Sequence, residues 1–502
     1  MEKSITTDFL IVGSGFGGTL LAMGLAKSGQ RVVVVEKKSH PRFTIGESST
    51  PIADMILRRL GRLYNLPFLY DLSRYGTWQK NHPELICGIK RGFSYYYHEP
   101  GKIFTSNSDH KNELLVAASQ NNENSDTNWL RSDVDHFLVQ QLKNCGVLFV
   151  ERTEITITER NDEQKEWSVR AVSDQDDLSI SCNWIIDATG SSSFSETHFG
   201  VQSTNKGFES HSYAIYSHVQ EAGHWLEYLK SKEFKVGDYP YNPDHSALHH
   251  ILEEGWMWML RFNNNLLSTG FLVDGNTVRP NEVRNLEWHD IIKKYPSLNI
   301  LFERAKLVNP PSGWIKSGRL QRKLNKVYGS GWVALTHTGG FVDPLHSTGI
   351  AHTLTGVEKL LEVFSRPANE SKINEDLKIF QDKVFNELEG IDLLVSSCYY
   401  SRSHFPLFKA SVMLYFAATV HYEQMRLRGE IPETFLCSGD SDISQMIWEC
   451  HAEIKNWHQC GADKNDAGRL IKMIRQKIEP FNSVGLMDSS KKSMYRHTAV
   501  SL

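Results

Sequence analysis

The chain has 502 residues, of which 40% are hydrophobic and 23% charged, as in an ordinary globular protein with enough residues for about two or three domains' worth of core. Its 55 basic and 59 acidic residues leave a net charge of only -4, which excludes a global basic field of the kind that holds nucleic acid or an anionic membrane. Small-molecule chemistry is therefore the favoured class of function.

Cysteine and histidine spacing argue against a disulfide framework and against a metal site. The seven cysteines are odd in number and include no CxxC pair, which favours free thiols in a reducing cytoplasm. Among 21 histidines only His245 and His249 have HxxxH spacing, and Pro243 argues against the helix that such a pair of ligands needs. We therefore expect no bound metal.

Targeting and membrane signals point to a cytoplasmic protein. No signal peptide precedes the first predicted strand. The longest apolar helix, at residues 412–420, is too short to span a bilayer. We therefore expect a cytoplasmic protein without a membrane span.

The N-terminal stretch predicts a nucleotide-binding βαβ unit. A buried strand at residues 9–12 passes into a glycine-rich turn, a helix follows, and a second strand at 31–35 ends in an acid. In the turn, Gly13 permits the tight bend, Gly15 lets the backbone approach a pyrophosphate, and Gly18 lets helix and strand pack closely. The helix N-terminus would then bind the phosphates.

The acid at the end of the second strand makes this unit specific. Glu36 lies 18 residues after Gly18, where a carboxylate can accept the hydrogen bonds of an adenosine ribose and would repel a phosphorylated one. A glycine-rich turn of some other α/β protein would not need an acid at that spacing. We therefore predict a bound dinucleotide.

A lysine stands in an unusual setting further along the chain. Residues 85–98 have the β-branched and aromatic content of one long strand or a hairpin arm. Period two places Gly88, Lys90 and Gly92 on one face, so the Lys90 ammonium would stand in the space that the glycines leave. The alternative is an exposed strand lysine, which is common on any protein surface.

Three later stretches complete the predicted architecture. Arg131 begins an amphipathic helix and is placed to reach a cofactor, and residues 205–310 contain the antiparallel strands of a second sheet that would wall a substrate site. A buried strand near residue 332 ends in a loop of glycines and hydroxyl residues. Gly349 then begins a helix whose N-terminal amides are free to bind an anion or a flavin carbonyl.

Together these motifs resemble the flavin-dependent halogenases of the tryptophan halogenase superfamily, over about residues 5–420. Residues 13–18 match the family's FAD fingerprint, residues 46–51 match the strap that links its FAD and substrate sites, and residues 341–350 match the loop over the isoalloxazine. Lys90 falls where the family has its indispensable lysine. The aromatic run at 93–97 makes the chain most like the phenol and phloroglucinol-type halogenases.

The resemblance implies a set of site residues. Lys90 would be catalytic, and the backbone amides of Thr348 and Gly349 would bind halide. The substrate region would contain His346, Phe93, Tyr95, Trp256 and Trp258. The residues implied to bind FAD are Gly13, Gly15, Phe16, Gly17, Gly18, Glu36, Lys37, Ser48, Ser49, Thr50, Arg131, Asp343, Gly349 and Ile350.

The chain departs from the family at three places. Leu260 and Arg261 replace the last two residues of its WxWxIP signature, and Thr336-His337 stands where many members have Gly-Asp. His346 replaces the glutamate of tryptophan halogenases. That change removes a fixed negative charge near the reactive lysine and fits a substrate that activates itself through an ionisable hydroxyl.

The implied fold is α/β. A discontinuous Rossmann-like FAD-binding domain of the hydroxylase (GR2) type would comprise residues 1–205 and 310–365, with a mainly antiparallel substrate-binding sheet at 206–309. A helical C-terminal region would follow at 366–488, and a flexible tail at 489–502.

The implied activity is FADH2-dependent halogenation in secondary metabolite biosynthesis. O2 and chloride or bromide would form hypohalous acid at the flavin, and Lys90 would deliver it to a small electron-rich phenolic substrate, free or carrier-bound. Only one dinucleotide motif is visible, so a separate flavin reductase is the expected source of FADH2. The alternatives are a flavin-dependent aromatic hydroxylase (monooxygenase) and a non-catalytic escort protein on the same fold, in which Lys90 and the strap would have no purpose.

Overall fold

The computed structural model describes residues 3–174, 177–278, 285–366, 369–461 and 463–499. Its strands are β1 (Lys3–Val12), β2 (Val32–Val35), β3 (Cys87–Lys90), β4 (Gly92–Tyr97), β5 (Glu113–Ala117), β6 (Asp126–Trp129), β7 (Leu148–Val150), β8 (Thr153–Asn161), β9 (Glu166–Ser173), β10 (Asp177–Asp187), β11 (Ser203–Thr204), β12 (Ser212–Gln220), β13 (Ala247–Ile251), β14 (Gly255–Arg261), β15 (Leu267–Asp274), β16 (Lys306–Asn309), β17 (Ile315–Lys316), β18 (Arg322–Leu324), β19 (Tyr328–Gly329), β20 (Trp332–Ala334), β21 (Gly340–Phe341) and β22 (Met494–Tyr495).

The α-helices alternate with the strands in the first part of the chain and dominate after residue 345. They are α1 (Phe16–Lys27), α2 (Pro51–Leu63), α3 (Phe68–Asp71), α4 (Tyr75–Asn81), α5 (Arg131–Asn144), α6 (Ser193–Phe199), α7 (Trp225–Ser231), α8 (Trp288–Ile292), α9 (Pro296–Phe302), α10 (Thr336–Gly339), α11 (Thr348–Phe364), α12 (Glu370–Ser401), α13 (Phe405–Leu427), α14 (Ser441–Gln459) and α15 (Lys464–Ile478).

The first sheet confirms the predicted Rossmann-like unit. Strand β1 lies between β10 and β2 and pairs in parallel with both, while β20 and β7 extend the parallel array on either side. The four valines of β2 are buried, as a strand covered on both faces requires. Because α1 starts directly after the first βα turn, its N-terminus lies at the carboxyl edge of this sheet, where α/β proteins bind ligands.

The second sheet is mainly antiparallel, also as predicted, with the strand order β16-β12-β15-β14-β13-β4-β5-β22 and β17 paired to β12. Alternation along its strands gives it two buried faces. Trp256 and Trp258 belong to the core shared with the first sheet, whereas Met257 and Met259 belong to a separate core behind. The face that carries Trp256 and Trp258 is therefore turned toward the nucleotide-binding unit.

The C-terminal helices cover the same face of the second sheet. Tyr415 and Phe416 of α13 contact Phe93 of β4 edge to face, with ring centres 6.0 and 5.5 Å apart. None of the helices within the described ranges combines the length and the hydropathy needed to cross a lipid bilayer.

Two sequence-based boundaries need correction. Strands β4 and β5 belong to the second sheet, although the division at residue 205 assigned them to the first domain. The tail was predicted to be flexible from residue 489, yet β22 pairs in parallel with β5, and Met494 and Tyr495 are buried. Both errors arise because pairing between distant segments leaves no local pattern in the sequence. Residues 500–502 lie outside the described residues.

Of the two predictions for residues 85–98, the single long strand is wrong, whereas residues 92–97 form one arm of the antiparallel β4–β5 pair, as the hairpin alternative predicts. The chain leaves one sheet and enters another at Arg91: β3 pairs with β6, whereas β4 pairs with β13 and β5. The Arg91 amide donates to the carbonyl of His245 (2.6 Å) instead of continuing either ladder. Lys90 is consequently the last residue of β3.

Candidate active site

A cavity of about 1360 Å³ joins the carboxyl edge of the first sheet to the inner face of the second. Ordinary small-molecule pockets enclose roughly 300–1,000 Å³, so this cavity has room for a dinucleotide and a second small molecule. The predicted cofactor residues that line it are Gly13, Gly15, Phe16, Gly17, Gly18, Glu36, Lys37, Ser48, Arg131, Gly349 and Ile350.

The three glycines of the first turn have different surroundings. A Cβ on Gly13, whose φ is +103°, would lie 2.6 Å from the carbonyl oxygen of Ala188, and one on Gly18 would lie 2.2 Å from that of Gly13. A Cβ on Gly15 would meet only ordinary contacts, the nearest being Arg131 Nη2 at 3.6 Å. The fold therefore requires Gly13 and Gly18, whereas Gly15 leaves free space beside the cavity.

Two guanidinium groups flank Gly15. Arg131 donates to both carboxylate oxygens of Asp135 (3.0 and 2.9 Å), stacks over Phe16, and holds the carbonyls of residues 45 and 46. Arg42, which the sequence analysis missed because it lies in an irregular polar segment, also lines the cavity. Two cations at a helix N-terminus form an anion-binding environment.

Glu36 is oriented by its own chain at the end of β2. Its carboxylate accepts hydrogen bonds from Ser14 N (3.1 Å) and Oγ (3.0 Å) and from Lys38 N (2.9 Å), and Arg42 lies 3.4 Å away. Burial alone would raise the pKa of Glu36, but Arg42 and the two amides outweigh it, so this pKa lies below its ordinary value. The group is therefore an ionised acceptor facing the cavity.

The strap, residues 46–51, ties the separate two-stranded β3–β6 sheet to the second sheet. It runs along β6, where the Glu47 carbonyl accepts from Trp129 N and Ser49 N donates to the Thr127 carbonyl. The buried Glu47 carboxylate lies 2.9 Å from His218 Nε2 of β12. The strap therefore contacts both the second sheet and the β3–β6 pair that contains Lys90.

The loop before α11 opens toward the cavity. Ser347, at the helix N-cap, has a φ of +52°, a strained conformation for a residue other than glycine, and its hydroxyl donates to Ser48 Oγ (3.0 Å) of the strap. A Cβ on Gly349 would meet nothing within 4 Å. Because the first amides of a helix lack partners within it, the amides of Thr348 and Gly349 are available to an anion.

Three predicted cofactor residues lie behind the cavity wall. The Ser49 hydroxyl donates to Asp54, and Thr50 is the N-cap residue of α2. The Asp343 carboxylate is buried and accepts from Ser212 Oγ (2.7 Å), Tyr399 OH (2.9 Å) and Leu345 N (3.0 Å), while burial raises its pKa to about 6. Asp343 thus fastens its loop to β12 and α12.

Lys90 is fully buried, so the interpretation as an exposed strand lysine is wrong. Its Nζ donates to the carbonyl of Ser49 and lies 4.2 Å from the centre of the Phe93 ring. It thereby contacts the strap one residue from Ser48, which lines the cavity. Burial lowers the pKa of Lys90 to about 8, against the opposing charge of Asp126.

The glycines beside Lys90 leave no open space. A Cβ on Gly88 would lie 1.8 Å from the Arg261 carbonyl oxygen, and one on Gly92 would lie 2.0 Å from that of Val116. They admit the neighbouring backbones of β14 and β5. The expectation that the glycines leave space for the Lys90 ammonium is therefore wrong, because closely packed backbone encloses Lys90.

The inner face of the second sheet supplies an aromatic wall. Trp256, Trp258, Tyr216 and His249 line the cavity. Sequence reasoning considered His249 only as a metal ligand and so missed it here. Burial lowers the pKa of His249 to about 3, which makes it a neutral group in this wall.

The other predicted substrate residues lie in the layer behind this wall. Tyr95 and Phe93 both stack on His249, with ring centres 4.8 and 6.0 Å away. His346 stacks on Tyr415 at 4.4 Å, and burial lowers its pKa to about 3, so it carries no charge at neutral pH. These residues back the wall and do not themselves line the cavity.

The places where the chain departs from the family also have defined positions. Leu260 and His337 line the cavity, and burial lowers the pKa of His337 to about 3. Arg261 instead binds the Asp244 carboxylate (3.2 Å) and the carbonyl of Gly223. His337 therefore offers an uncharged side chain where a carboxylate would be charged.

Comparison with known proteins gives consistent results. A family model for tryptophan halogenase matches residues 129–412, and one for an NAD(P)-binding Rossmann-like domain matches residues 11–63. The chain is 27% identical over 487 residues to the monodechloroaminopyrrolnitrin halogenase of Pseudomonas fluorescens, covering 94% of this chain and 82% of that protein. It is 24% identical over 426 residues to the tetracycline 7-halogenase of Kitasatospora aureofaciens, covering 82% and 73%.

The fold matches a solved structure over nearly its whole length. The crystal structure of halogenase PltM in complex with phloroglucinol and FAD has a TM-score of 0.83 to this chain, at 21% sequence identity, covering 97% of this chain and 99% of that one. At this level of identity the match establishes the architecture.

Proposed function

The chain belongs to the tryptophan halogenase family, and from this premise we propose that it is a flavin-dependent halogenase that acts on an electron-rich phenolic ring. The observation that carries the proposal is the placement of Lys90. Lys90 is fully buried and donates to the Ser49 carbonyl of the strap, one residue from the cavity lining at Ser48, and burying a lysine carries a desolvation cost that an exposed position avoids.

The residues of the cavity fit FAD. Gly15 leaves space at the N-terminus of α1 between Arg42 and Arg131, which suits a pyrophosphate. Glu36 presents an ionised acceptor for ribose hydroxyls, and the open side of Gly349 suits the flavin ring system. When bound in its reduced form, FAD would supply two of the electrons that reduce O2, and the halide would supply the other two as it is oxidised to hypohalous acid.

The chain's own groups then hold and direct the reagents. The amides of Thr348 and Gly349, at the positive end of the α11 dipole, bind the chloride or bromide ion. The Lys90 Nζ receives hypohalous acid and holds it at the strap, by hydrogen bonding from the ammonium or, once the ammonium has lost a proton, as the haloamine with release of water. The second sheet and α13 exclude water, which would otherwise consume the reagent.

The phenolic substrate and the reductase are parts of this proposal. A related fold was crystallised with phloroglucinol, and the uncharged His249, His337 and His346 suit a ring that activates itself through its own hydroxyl. One dinucleotide-binding unit is present in the described part of the chain. A separate reductase therefore supplies FADH2.

Turnover with and without halide tests the function. Purified protein with added FAD should show flavin absorbance, and with a flavin reductase, NADH, O2 and bromide it should halogenate simple phenols. If product forms equally well without halide and contains oxygen in place of halogen, the chain is a flavin hydroxylase. If FAD binds and neither product forms with any phenol, the result favours the non-catalytic escort protein.

Gly15→Val should lose FAD while the protein still folds. The new side chain meets only ordinary contacts within the chain but projects where a pyrophosphate would approach. FAD titration followed by flavin fluorescence, together with thermal unfolding, checks both parts. Gly18→Val is the contrast, since its Cβ would lie 2.2 Å from a backbone oxygen and should prevent folding. Wild-type FAD affinity in Gly15→Val would contradict the proposed pyrophosphate position.

Glu36→Ala should weaken FAD binding by about 1 to 3 kcal/mol, the range for a lost charge-assisted hydrogen bond. This corresponds to a rise in Kd of roughly 5- to 150-fold. Isothermal titration with FAD measures the change, with Glu159→Ala as the control because Glu159 is exposed on β8. An unchanged Kd in Glu36→Ala would show that the carboxylate does not bind the ribose.

A further inference from the structure

Two buried carboxyl groups lie near Lys90 and have no role in the proposed halogenation. Asp126 is the cross-strand neighbour of Lys90 in the β3–β6 pair, and Asp54 lies in the first turn of α2. Asp126 is 3% and Asp54 2% exposed. Asp126 Oδ2 is buried and has no hydrogen-bond partner among the residues that the structure describes, whereas Ser49 Oγ donates to Asp54 Oδ1 (3.1 Å).

Two buried carboxyl groups that influence each other do not both ionise, because two carboxylates repel strongly in a medium of low dielectric, and a proton on Asp54 would provide the donor that Asp126 Oδ2 lacks. Burial and the charge of Asp126 raise the pKa of Asp54 well above its ordinary value. Burial also raises the pKa of Asp126, to about 6, although Lys90 and the hydrogen bond from Asp54 oppose this. At pH 7 Asp54 is therefore the neutral donor and Asp126 the carboxylate.

The surroundings provide no other negative charge for Lys90 among the described side chains. Arg58, further along α2, is a cation that acts on Asp54. His249 of β13 is neutral, and the Lys90 charge lowers its pKa further. Tyr415 of α13 is a neutral phenol whose pKa is raised by burial. Asp126 is thus the counter-charge of the buried ammonium.

We propose that Asp54 and Asp126 are positioning residues for Lys90: the Asp126 carboxylate keeps the buried lysine in its ammonium form beside the strap, and the neutral Asp54 keeps Asp126 ionised by donating a hydrogen bond to it. The charges of Lys90 and Asp126 cancel within the site. The effect on halogenation rests on the proposed function, whereas the effect on the Lys90 proton does not.

The first test, which does not depend on enzymatic turnover, is a titration of Lys90 in the protein without added FAD. Lysine labelled with 13C at Cε reports the protonation of each side chain by NMR, and the Lys90 signal is assigned by its loss in Lys90→Met. Asp126→Asn should lower the pKa of Lys90 by about one unit or more, a tenfold change in its protonation equilibrium. The signal of the exposed Lys80 should be the same in the wild-type and variant spectra.

The companion variant distinguishes this role from simple packing. Asp54→Asn keeps a hydrogen-bond donor toward Asp126 and should leave the Lys90 titration nearly unchanged, whereas Asp54→Ala removes the donor and should lower the pKa of Lys90. Equal shifts in Asp126→Asn and Asp54→Asn, or no shift in either, would overturn the proposal. If Asp126→Asn does not fold, the contrast between Asp54→Asn and Asp54→Ala decides the question.

Activity supplies the second readout. In Asp126→Asn the alkaline limb of the pH-rate profile for halogenation should move to lower pH, with FAD affinity unchanged. A profile that keeps its shape and loses only amplitude would contradict a role through the Lys90 proton. If the wild-type protein halogenates no phenol, the proposed function fails while the NMR titration still tests the carboxyl pair.

Discussion

Lys90→Ala should abolish halogenation while FAD binding and the oxidation of reduced flavin continue. The side chain ends at the strap, one residue from the cavity lining and stacked over Phe93, and the described structure offers no second lysine contacting the strap there. Loss of a positioned proton-carrying group costs roughly 10²- to 10⁴-fold in rate. Product analysis by mass spectrometry, run beside oxygen consumption, measures the two activities separately.

Substitution with arginine should fail as well. A guanidinium stays protonated and cannot form a haloamine, and its planar fork does not fit the space that Phe93 and the strap leave for a compact ammonium. Lys90→Met serves to retain the packing of the stem. Thermal unfolding of each variant shows whether the fold survives once Asp126 has lost its positively charged neighbour.

The exposed Lys80 and Lys102 are the matched controls for Lys90. Lys102 pairs with Glu99 on the surface, so its removal should change stability and activity little. Normal halogenation by Lys90→Ala together with loss in Lys80→Ala would show that the family's lysine has been assigned to the wrong residue.

Glu387→Ala should destabilise the helical region by about 3–5 kcal/mol, because it leaves the half-buried Lys359 and the buried His352 without their shared partner. The Glu387 carboxylate on α12 is fully buried and bonds to Lys359 and to His352 Nε2 (2.9 Å) of α11, and it accepts from the amide of Phe435 (2.8 Å). Three segments therefore meet at one carboxylate. Urea denaturation followed by circular dichroism gives the change.

The pH dependence of unfolding checks the same group. Burial would raise the pKa of Glu387, but Lys359 and His352 lower it to about 2, from an ordinary 4.5. Its stabilising contribution is complete above pH 4.5 and is lost as the pH falls toward 2. Glu387→Ala should flatten this acid limb, and the exposed Glu389→Ala should leave it unchanged. An acid limb of the same slope in Glu387→Ala and Glu389→Ala would contradict the conclusion that Glu387 causes the loss of stability at low pH.

The parts of this protein that the sequence predicts are those with local signatures. The βαβ unit needs only a strand, glycines and a terminal acid within about 30 residues, and the aromatic and β-branched runs between residues 205 and 310 predict the strands of a second sheet. The strap and the loop before α11 were recognised because their residues resemble a family. The two sheets are confirmed, whereas the roles of the strap and of this loop stay predictions.

The rest depends on distant contacts. The carboxyl pair beside Lys90 joins residues 54 and 126, which no periodicity connects, and Asp343 is turned inward by hydroxyl groups from β12 and α12. The break at Arg91 is likewise set by a carbonyl from residue 245. Alternation predicts the face of a strand but not the sheet that the strand joins.

The pairing of β22 with β5 has a consequence for the newly synthesised chain. The Thr498 hydroxyl and the Ala117 carbonyl that it bonds are 381 residues apart in sequence. While the ribosome makes the intervening residues, the outer edge of β5 has no partner, and an unpaired strand edge recruits other chains. Synthesis at about 5–20 residues per second leaves this edge open for roughly 20 to 80 seconds. Chaperones that cover exposed strands should therefore bind this protein during translation and release it once β22 has emerged.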